Sequence, residues 1–274
     1  MRSLFFYIFM FGLFFVPYST KASQIYTIAR APQLSSVTLS KSWTPFVNYL
    51  SNVTGYKFKL KLYQGRTDFE SDLKKGNVDL FFANPGYFSV AHYMHGYLAL
   101  VRSGAKQLKG IVVVRNNSGI DSIEQLQGKS IAFPGKNAFA ASLYIRSILN
   151  KKIKFKTQYI AGHDNVYRSV AAGAAIAGGG VYRTLNGESV NLKSRLKVIY
   201  ETPGIAPHPL AAHPDVPKKT QESIIKAVLD LHNSKEGREM LKAVKMSKPS
   251  RTSYMKDYQL LGPIASEMYH HIIH

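Results

Sequence analysis

The chain has 274 residues, with 36 lysines and arginines against 16 aspartates and glutamates, and it contains no cysteine. Without cysteine, disulfides, thiolate metal sites and a cysteine nucleophile are excluded. Hydrophobic residues at 45% and charged residues at 19% indicate a globular protein of one or two domains rather than a disordered chain. The net charge of +20 favours anionic partners, which are nucleic acid, a membrane surface or small anions.

The basic residues are scattered along the chain, as in the alternating Lys57, Lys59 and Lys61. They form no long block and accompany no nucleic-acid-binding motif, so we expect no nucleic-acid partner. A generally basic exported protein is a sufficient explanation of the charge.

The N-terminus predicts export. Arg2 precedes an apolar run from Leu4 to Tyr18, and the segment that follows up to Ala22 is small except for Lys21. A basic start, an apolar middle and a small-residue exit are typical of a signal peptide, here 1–22, which leaves a periplasmic protein after cleavage. The run is short for a membrane span, and an uncleaved anchor is the alternative. No cysteine follows it, which excludes a lipoprotein anchor.

The hydrophobic pattern after Ala22 alternates between strands and helices. In the first part of the chain it predicts strands at 24–30, 57–62 and 78–82 and helices at 67–75 and 87–93. A further helix is marked by apolar residues at helical spacing, which are Trp43, Phe46, Val47 and Leu50. It ends at Gly55 and begins either at Ser36 or at Pro45.

The second part of the chain continues the alternation. The pattern predicts strands at 111–115, 130–133, 153–159 and 196–200, a helix at 121–126 and another that ends near Asn150. A loop at 161–165 leads into a helix, 174–181 is small and apolar, 203–209 is irregular and 210–212 is briefly extended. Helices at 220–233 and 235–244 precede a loop-rich, basic tail.

Strands and helices in this order predict parallel βαβ units, which place ligand sites at the carboxyl ends of the strands. Three loops follow from that rule, at 32–36, 84–87 and 134–137. The third joins a strand, a Pro-Gly turn and a helix start. A helix start presents free N–H groups and a partial positive charge, so Lys136, Asn137 and Ala138 mark a candidate anion site. An ordinary βα turn is the alternative.

Five phrases in order resemble the periplasmic phosphate/phosphite/phosphonate-binding proteins of ABC importers: PQLSSVTLSKSWTPFVNYLSNVTGY, GNVDLFFANPGYFSVA, GIVVVRNNSGIDSIEQLQGKSIAF, GHDNVYRSVAAG and APHPLAAHPDVP. Together they span nearly all of the mature chain. The resemblance implies an α/β, two-lobed Venus-flytrap fold, in which each lobe is a mainly parallel sheet flanked by helices and two crossover strands join the lobes. Lobe one would comprise 23–106 plus 208–274, and lobe two 107–207.

The resemblance also implies site residues. In that family helix N-termini, a tyrosine, hydroxyl groups and a histidine hold an oxyanion in the cleft. Tyr87 matches the tyrosine and His163 the histidine, while Ser35 and Ser36 fall in the first loop and Asn84 begins the second. Backbone N–H groups near Ser36, Tyr87 and Ala138 would supply further donors.

Two departures from the family pattern stand out. The Ser/Thr-rich phosphate loop of the family is here 134–138, which has no hydroxyl group and carries Lys136. The family also commonly has an aspartate in a segment like VDAG, and the aligned residue here is Ile176. A carboxylate in such a cleft can hold the amino group of an aminoalkyl phosphonate, so its loss puts that ligand class in doubt.

Each candidate also has a plainer explanation. Tyr87 could cap a turn above the core, and His163 could be a solvated loop histidine. Asp164 is expected to cap the helix that follows rather than to orient His163. Lys136 could be an ordinary surface lysine, and Arg183 is balanced between contacting an anion and being solvated.

Other polar clusters favour structural roles. His208 lies between two prolines and is expected in a rigid hinge loop, while the glycines at 178–180 indicate close packing rather than a dinucleotide site. His270, His271 and His274 are expected in a tail rather than at a metal. No hydrolase, metalloprotease or paired-carboxylate motif is present, so we expect no catalysis, no metal and no cofactor.

The sequence therefore predicts an exported, monomeric solute-binding protein. It would capture phosphonate, phosphite or phosphate between two lobes and deliver it to the permease of an ABC transporter in the inner membrane. One alternative is a sensor that presents its closed form to a membrane receptor kinase. A less favoured alternative is an enzyme on the same fold, because fold alone does not decide function.

Overall fold

A computed structural model describes residues 24–32, 35–262, 264, 266 and 269. The predicted signal peptide and the histidines His270, His271 and His274 lie outside the described residues. Within these ranges, no helix combines the length and the apolar character that crossing a membrane requires.

Strands and helices alternate over most of the described chain. The strands, in chain order, are β1 (Ile25–Arg30), β2 (Lys57–Lys61), β3 (Leu80–Phe82), β4 (Leu98–Ser103), β5 (Ile111–Arg115), β6 (Ser130–Phe133), β7 (Lys156–Tyr159), β8 (Ala177–Gly180), β9 (Leu196–Glu201), β10 (Pro209–Ala212) and β11 (Pro249–Arg251). The α-helices are α1 (Ser36–Thr54), α2 (Arg66–Lys75), α3 (Pro85–His95), α4 (Tyr144–Leu149), α5 (His163–Ala172), α6 (Tyr182–Asn186), α7 (Val190–Ser194), α8 (Lys218–Asp230), α9 (Lys235–Ala243) and α10 (Tyr254–Asp257). A π-helical turn, Phe139–Leu143, leads directly into α4.

The strands form two separate mixed sheets. The six-stranded sheet has the order β11-β4-β10-β3-β1-β2, and the five-stranded sheet has the order β7-β6-β8-β5-β9. We call each sheet with the helices packed on it lobe one and lobe two, respectively. The two-lobed α/β fold is thus confirmed.

The sheets are mixed rather than mainly parallel, which corrects the expectation. In lobe one β1 is parallel to β2 and β3, but β10 is antiparallel to β3 and β4, and β11 is antiparallel to β4. In lobe two β6 is parallel to β7 and β8, but β5 is antiparallel to β8 and β9. The antiparallel strands β5 and β10 are those by which the chain enters lobe two and returns to lobe one.

Two crossovers join the lobes, between β4 and β5 and between β9 and β10. They run side by side, because Leu108 of the first and Ile205 of the second form an antiparallel bridge. Lys109 and Glu201 form an ion pair next to that bridge. The lobe limits expected from the sequence fall in these segments and stay a prediction.

Both faces of the first sheet are buried. On one face Trp43 and Phe46 of α1 pack with Phe82, and on the other Phe69 and Phe88 belong to a second apolar cluster. The apolar stripe predicted for α1 is therefore its core face. The helix begins at Ser36 and continues through the internal proline at position 45, which decides between the two predicted starts.

The glycines of β8 let three elements approach the strand closely, as the sequence predicted. A Cβ atom at Gly178 would overlap Val166 of α5, and one at Gly179 would overlap the carbonyl oxygen of Ala141 and the ring of Phe133. The π-helical turn and α5 therefore rest directly on the backbone of β8.

Several elements differ from their predicted form. The strands β4 and β11 and the short helices α6 and α7 were not predicted, and the expected helix at 121–126 is only a 3-10 turn, Glu124–Leu126. The extended segment predicted at 153–159 forms a strand only over its last four residues, Lys156–Tyr159.

Candidate functional site

Two basic residues of lobe one meet at one edge of its sheet. Arg30 is the last residue of β1 and pairs in register with Phe82 of β3. His208 immediately precedes β10, and Leu210 of that antiparallel strand also pairs with Phe82. The carboxyl ends of β1 and β3 and the amino end of β10 therefore bring Arg30 and His208 together.

The side chains of Arg30 and His208 both contact the ring of Phe82. The guanidinium carbon of Arg30 is 5.0 Å from the centre of that ring and 5.6 Å from the centre of the Trp43 ring. The imidazole of His208 stacks on Phe82 with 5.6 Å between ring centres and 27° between planes. Arg30 is only 4% exposed, and its Nη1 donates hydrogen bonds to the carbonyl oxygens of Ala31 (2.9 Å) and Phe82 (3.2 Å).

Lobe two contributes two further basic residues. His163 is the first residue of α5, is half-buried and lies with its Nδ1 3.3 Å from the hydroxyl oxygen of Thr184. Arg183 belongs to α6, which follows β8, and its side chain is exposed. The two residues thus come from the loops at the carboxyl ends of β7 and β8, at the edge of the sheet where parallel strands place ligand sites.

The positive charge of Arg183 affects the pKa values of the other three residues. Burial, and then the positive charge of Arg183, lowers the pKa of Arg30 to about 10. Burial, followed by the charges of Arg30 and Arg183, lowers the pKa of His208 to about 3. The pKa of His163 is also lowered, first by burial and then by Arg183. Because Arg183 of lobe two acts on all three, we call Arg30, His163, Arg183 and His208 the cationic cluster.

Asp164 does not cap α5, which corrects the expectation. The residue before the helix is Gly162, and no side chain caps the first turn. Asp164 instead accepts a hydrogen bond from Nη1 of Arg168, one turn later, at 2.9 Å. Its negative charge still lies near the helix start, where it is favourable, and it opposes the lowering of the pKa of His163.

The predicted anion loop of lobe two begins a helix, but its first turn is π-helical. Ala138 precedes that turn, and its carbonyl oxygen accepts from the N–H groups of Ser142 (2.8 Å) and Leu143 (3.2 Å). Lys136 is exposed, and its carbonyl oxygen accepts from Nη2 of Arg146 at 3.2 Å. The Oδ1 atom of Asn137 is buried and has no hydrogen-bond partner among the described residues.

Tyr87 has a different neighbourhood from the cationic cluster. Its hydroxyl donates a hydrogen bond to Glu70 of α2, and its backbone N–H donates to Oδ1 of Asn84 at 3.0 Å. Burial, and then Glu70, raises the pKa of Tyr87, while Arg66 opposes that rise. The structure therefore places the hydroxyl of Tyr87 with α2 and uses Asn84 as the cap of α3.

The two serines of the first loop are exposed. Ser35 caps α1, because its Oγ accepts from the N–H of Thr38 at 3.3 Å. Ser36 lines an open groove of about 790 Å³ along α1 together with Val37, Ser40, Lys41, Thr44, Pro45, Asn48 and Leu62. Among the described residues, neither serine forms a hydrogen bond with a member of the cationic cluster.

Ile176, the residue aligned with the family's aspartate, lies away from the edge of the sheet where parallel strands place ligand sites. It immediately precedes β8 and is 42% exposed. Since β8 is parallel to β6, Ile176 lies at the edge opposite to the one where Lys136 and Arg183 follow their strands. We call the edge at the carboxyl ends of β6, β7 and β8 the ligand edge of lobe two. The residues that follow β8 at this edge are Val181, Tyr182 and Arg183.

Sequence reasoning missed Arg30 and His208. Arg30 had a usable signal, because a charged residue ended an alternating strand at the edge where ligand sites are expected. His208 was interpreted as part of a hinge loop, and only the antiparallel pairing of β10 shows that it lies beside Arg30. Among the described residues, no group of three or more potential ligands could hold a metal ion.

Comparison with known proteins agrees with this architecture. A family model described as "ABC transporter, phosphonate, periplasmic substrate-binding protein" matches residues 28–258.

PhnD1 from Prochlorococcus marinus, solved in complex with methylphosphonate, is 16% identical with a TM-score of 0.73, over 90% of this chain and 99% of that one. A binding protein component of an ABC phosphonate transporter from Pseudomonas aeruginosa is 14% identical with a TM-score of 0.67, over 92% and 97%. A Xanthomonas citri protein bound to ATP is 14% identical with a TM-score of 0.76, over 91% and 99%. At these identities the solved structures show the fold alone.

Proposed function

Because the chain belongs to the family of periplasmic substrate-binding proteins of phosphonate ABC transporters, we propose that the cationic cluster binds a phosphonate, or the related phosphite or phosphate, between the two lobes. The observation that carries this proposal is the position of the four basic groups. Two of them come from each lobe, and Arg183 of lobe two acts electrostatically on Arg30 and His208 of lobe one.

The chemistry of the cluster suits a tetrahedral dianion. Guanidinium groups bind phosphonate oxygens through two parallel charge-assisted hydrogen bonds, and neutral imidazoles donate one hydrogen bond each. A buried dianion needs several such donors to offset the loss of water. The negative charge would in turn relieve the repulsion between Arg30 and Arg183, so ligand and site stabilise each other.

Binding would be coupled to movement of the lobes. A ligand that contacts both lobes binds the closed form more tightly than the open one and so shifts the population towards closure. The lobes would rotate about the two paired crossovers, which meet at Leu108 and Ile205. The lobes would then comprise 23–106 with 208–274, and 107–207.

The biological setting follows from the family. The mature protein would begin after Ala22, act as a monomer in the periplasm and hand its ligand to an inner-membrane permease. Family membership favours this transport role over a sensor for a receptor kinase and over an enzyme.

Titration calorimetry of the mature protein tests the proposal. Methylphosphonate, phosphite and phosphate are the ligands, with sulfate as the comparison anion. We expect micromolar or tighter binding of at least one of the three, and Arg183→Gln should weaken it about tenfold or more, because a charge-assisted contact is lost.

Arg238→Gln is the matched control, because Arg238 is an exposed arginine of α9 whose Nη1 donates a hydrogen bond to the carbonyl oxygen of His232. It removes the same formal charge and should leave the affinity within about twofold. The proposal fails if none of the three anions binds below millimolar concentration.

A further inference from the structure

Asp164 acts on His163 of the cationic cluster and Glu201 interacts with the residue before Arg183, and each of these two carboxylates already has a partner. Asp164 accepts a hydrogen bond from Arg168 at 2.9 Å. Glu201 forms an ion pair with Lys109, and Glu201 also interacts with the hydroxyl of Tyr182, beside Arg183. A ligand's ammonium group would therefore meet carboxylates that are held by other groups.

The two guanidinium groups of the cluster differ in freedom. Arg30 is buried, lies over the neighbouring rings of Trp43 and Phe82 and is hydrogen-bonded to two backbone carbonyl oxygens. Arg183 is exposed, and within the described part of the chain its side chain makes no hydrogen bond or ion pair. Arg30 is thus fixed in place, whereas Arg183 can turn its guanidinium towards whatever the ligand carries.

The same two groups set the sign of the potential in the cleft. Arg30 lies over the Phe82 ring on which His208 also stacks. Arg183 belongs to α6, which follows the carboxyl end of β8, and its positive charge contributes to the lowered pKa of His208. In a water-poor cleft, a substituent with a positive charge is repelled and one with a negative charge is attracted.

We propose that the cleft selects phosphonates by the charge of their substituent: it rejects aminoalkyl phosphonates, accepts alkyl phosphonates and prefers phosphonates that carry a carboxylate, with Arg183 as the residue that sets this preference. The inference rests on the proposed function, because it concerns the second group of the same ligand. It gives the chain a substrate class, that of phosphonates with an additional acidic group.

Two pairs of ligands of equal size test the inference by calorimetry. Propylphosphonate and 2-aminoethylphosphonate differ in a terminal methyl or ammonium group, and phosphonoacetamide and phosphonoacetate differ in an amide or carboxylate. We expect the more negative member of each pair to bind about tenfold more tightly or better, since one added charge near two cations changes the interaction by more than 1 kcal/mol.

Arg183→Gln should reduce both ratios several-fold, whereas Arg238→Gln should leave them unchanged. Equal or inverted affinities within either pair would overturn the inference, and so would an Arg183→Gln variant that weakens all four ligands by the same factor. These results are distinct from failure of the proposed function, in which no phosphonate and no phosphate binds at all.

Discussion

Arg30 illustrates how a charged side chain is kept inside a protein. The rings of Trp43 and Phe82 attract its guanidinium through cation–π contacts, and two backbone carbonyl oxygens accept its hydrogen bonds. These contacts offset part of the cost of removing the charge from water. They also hold the guanidinium in one place, so in the proposed complex the position of Arg30 is set before the anion arrives.

The stability of the empty protein should fall in acid because of His208. Its folded-state pKa of about 3 lies below the ordinary value of 6.5, so the unfolded chain takes up a proton that the folded protein does not. Stability is therefore lost as the pH falls from 6.5 towards 3, and by pH 5 the loss from this group alone is about 2 kcal/mol. Urea unfolding at pH 7.5 and pH 5.0 measures it.

His208→Gln should show a smaller loss over the same pH interval, by about that amount. His163 contributes in the same direction in both proteins, because its pKa is lowered as well. An identical acid dependence in the variant and the parent would show that His208 is not held neutral.

The two residues that match the family's tyrosine and histidine should respond differently to substitution. Since the hydroxyl of Tyr87 donates to Glu70, Tyr87→Phe should leave the affinity for methylphosphonate within about twofold. His163→Ala should lower it about tenfold, because it removes a donor of the cluster. Calorimetry at one ionic strength compares them, and a large loss in Tyr87→Phe would instead place that hydroxyl on the ligand.

For single residues, the sequence predicts which strand or loop a side chain belongs to better than it predicts which side chain it contacts. It indicates that His163 and the loop at 134–137 follow strands, because apolar runs and a Pro-Gly turn are local signals. It does not show that Asp164 pairs with Arg168 or that Tyr87 meets Glu70, since side-chain partners depend on packing. Arg30 and His208 are 178 positions apart, and only the sheet brings them to one ring.

The contact between the π-helical turn and β8 positions the loops at the ligand edge of lobe two. Gly179 lies under the carbonyl oxygen of Ala141 and the ring of Phe133, with no room for a side chain. The loop with Lys136 and Asn137 is continuous with that turn, so its position depends on a backbone-to-backbone contact.

Gly179→Ala should therefore destabilise the protein by about 3 kcal/mol, because the added methyl group forces the π-helical turn away from β8. The free energy of unfolding in urea is the measurement. Gly65→Ala is the matched control, since nothing lies within 4 Å of its Cβ position, and it should change stability by less than about 0.5 kcal/mol. Similar effects of the two substitutions would contradict the close approach.

Helices and strands with a clear hydrophobic period were predictable from the sequence. The direction and order of the strands in the two sheets were not. The apolar spacing of α1 and the alternation of β1 and β2 appear in the sequence because one face of each element is buried. The antiparallel direction of β10 depends on how the chain returns from lobe two, which no local pattern encodes. A π-helical turn also lacks a period of its own and depends on what it packs against.

Closure of the whole molecule should depend on the charges that face each other between the lobes. In the empty protein the repulsion between Arg30 and Arg183 opposes closure, and a bound anion reverses the balance. Arg183→Gln should therefore have a smaller radius of gyration than the parent without ligand, and a smaller decrease on adding methylphosphonate. Small-angle X-ray scattering at low salt measures both.

Raising the ionic strength should shrink the difference between the parent and Arg183→Gln, because salt screens exposed charges. Arg238→Gln should scatter like the parent, although it lowers the net charge equally. A radius of gyration that does not respond to ligand in either protein would count against coupling between closure and binding.

Trp43 is the single tryptophan of the chain, and it lies beside the guanidinium of Arg30. The emission of an indole ring responds to charge in its immediate surroundings. Neutralising Arg30 with an anion should therefore change the fluorescence of this one ring, with no second tryptophan to dilute the change. The protein would then carry its own optical reporter, and a phosphonate in water could be measured with the unlabelled molecule.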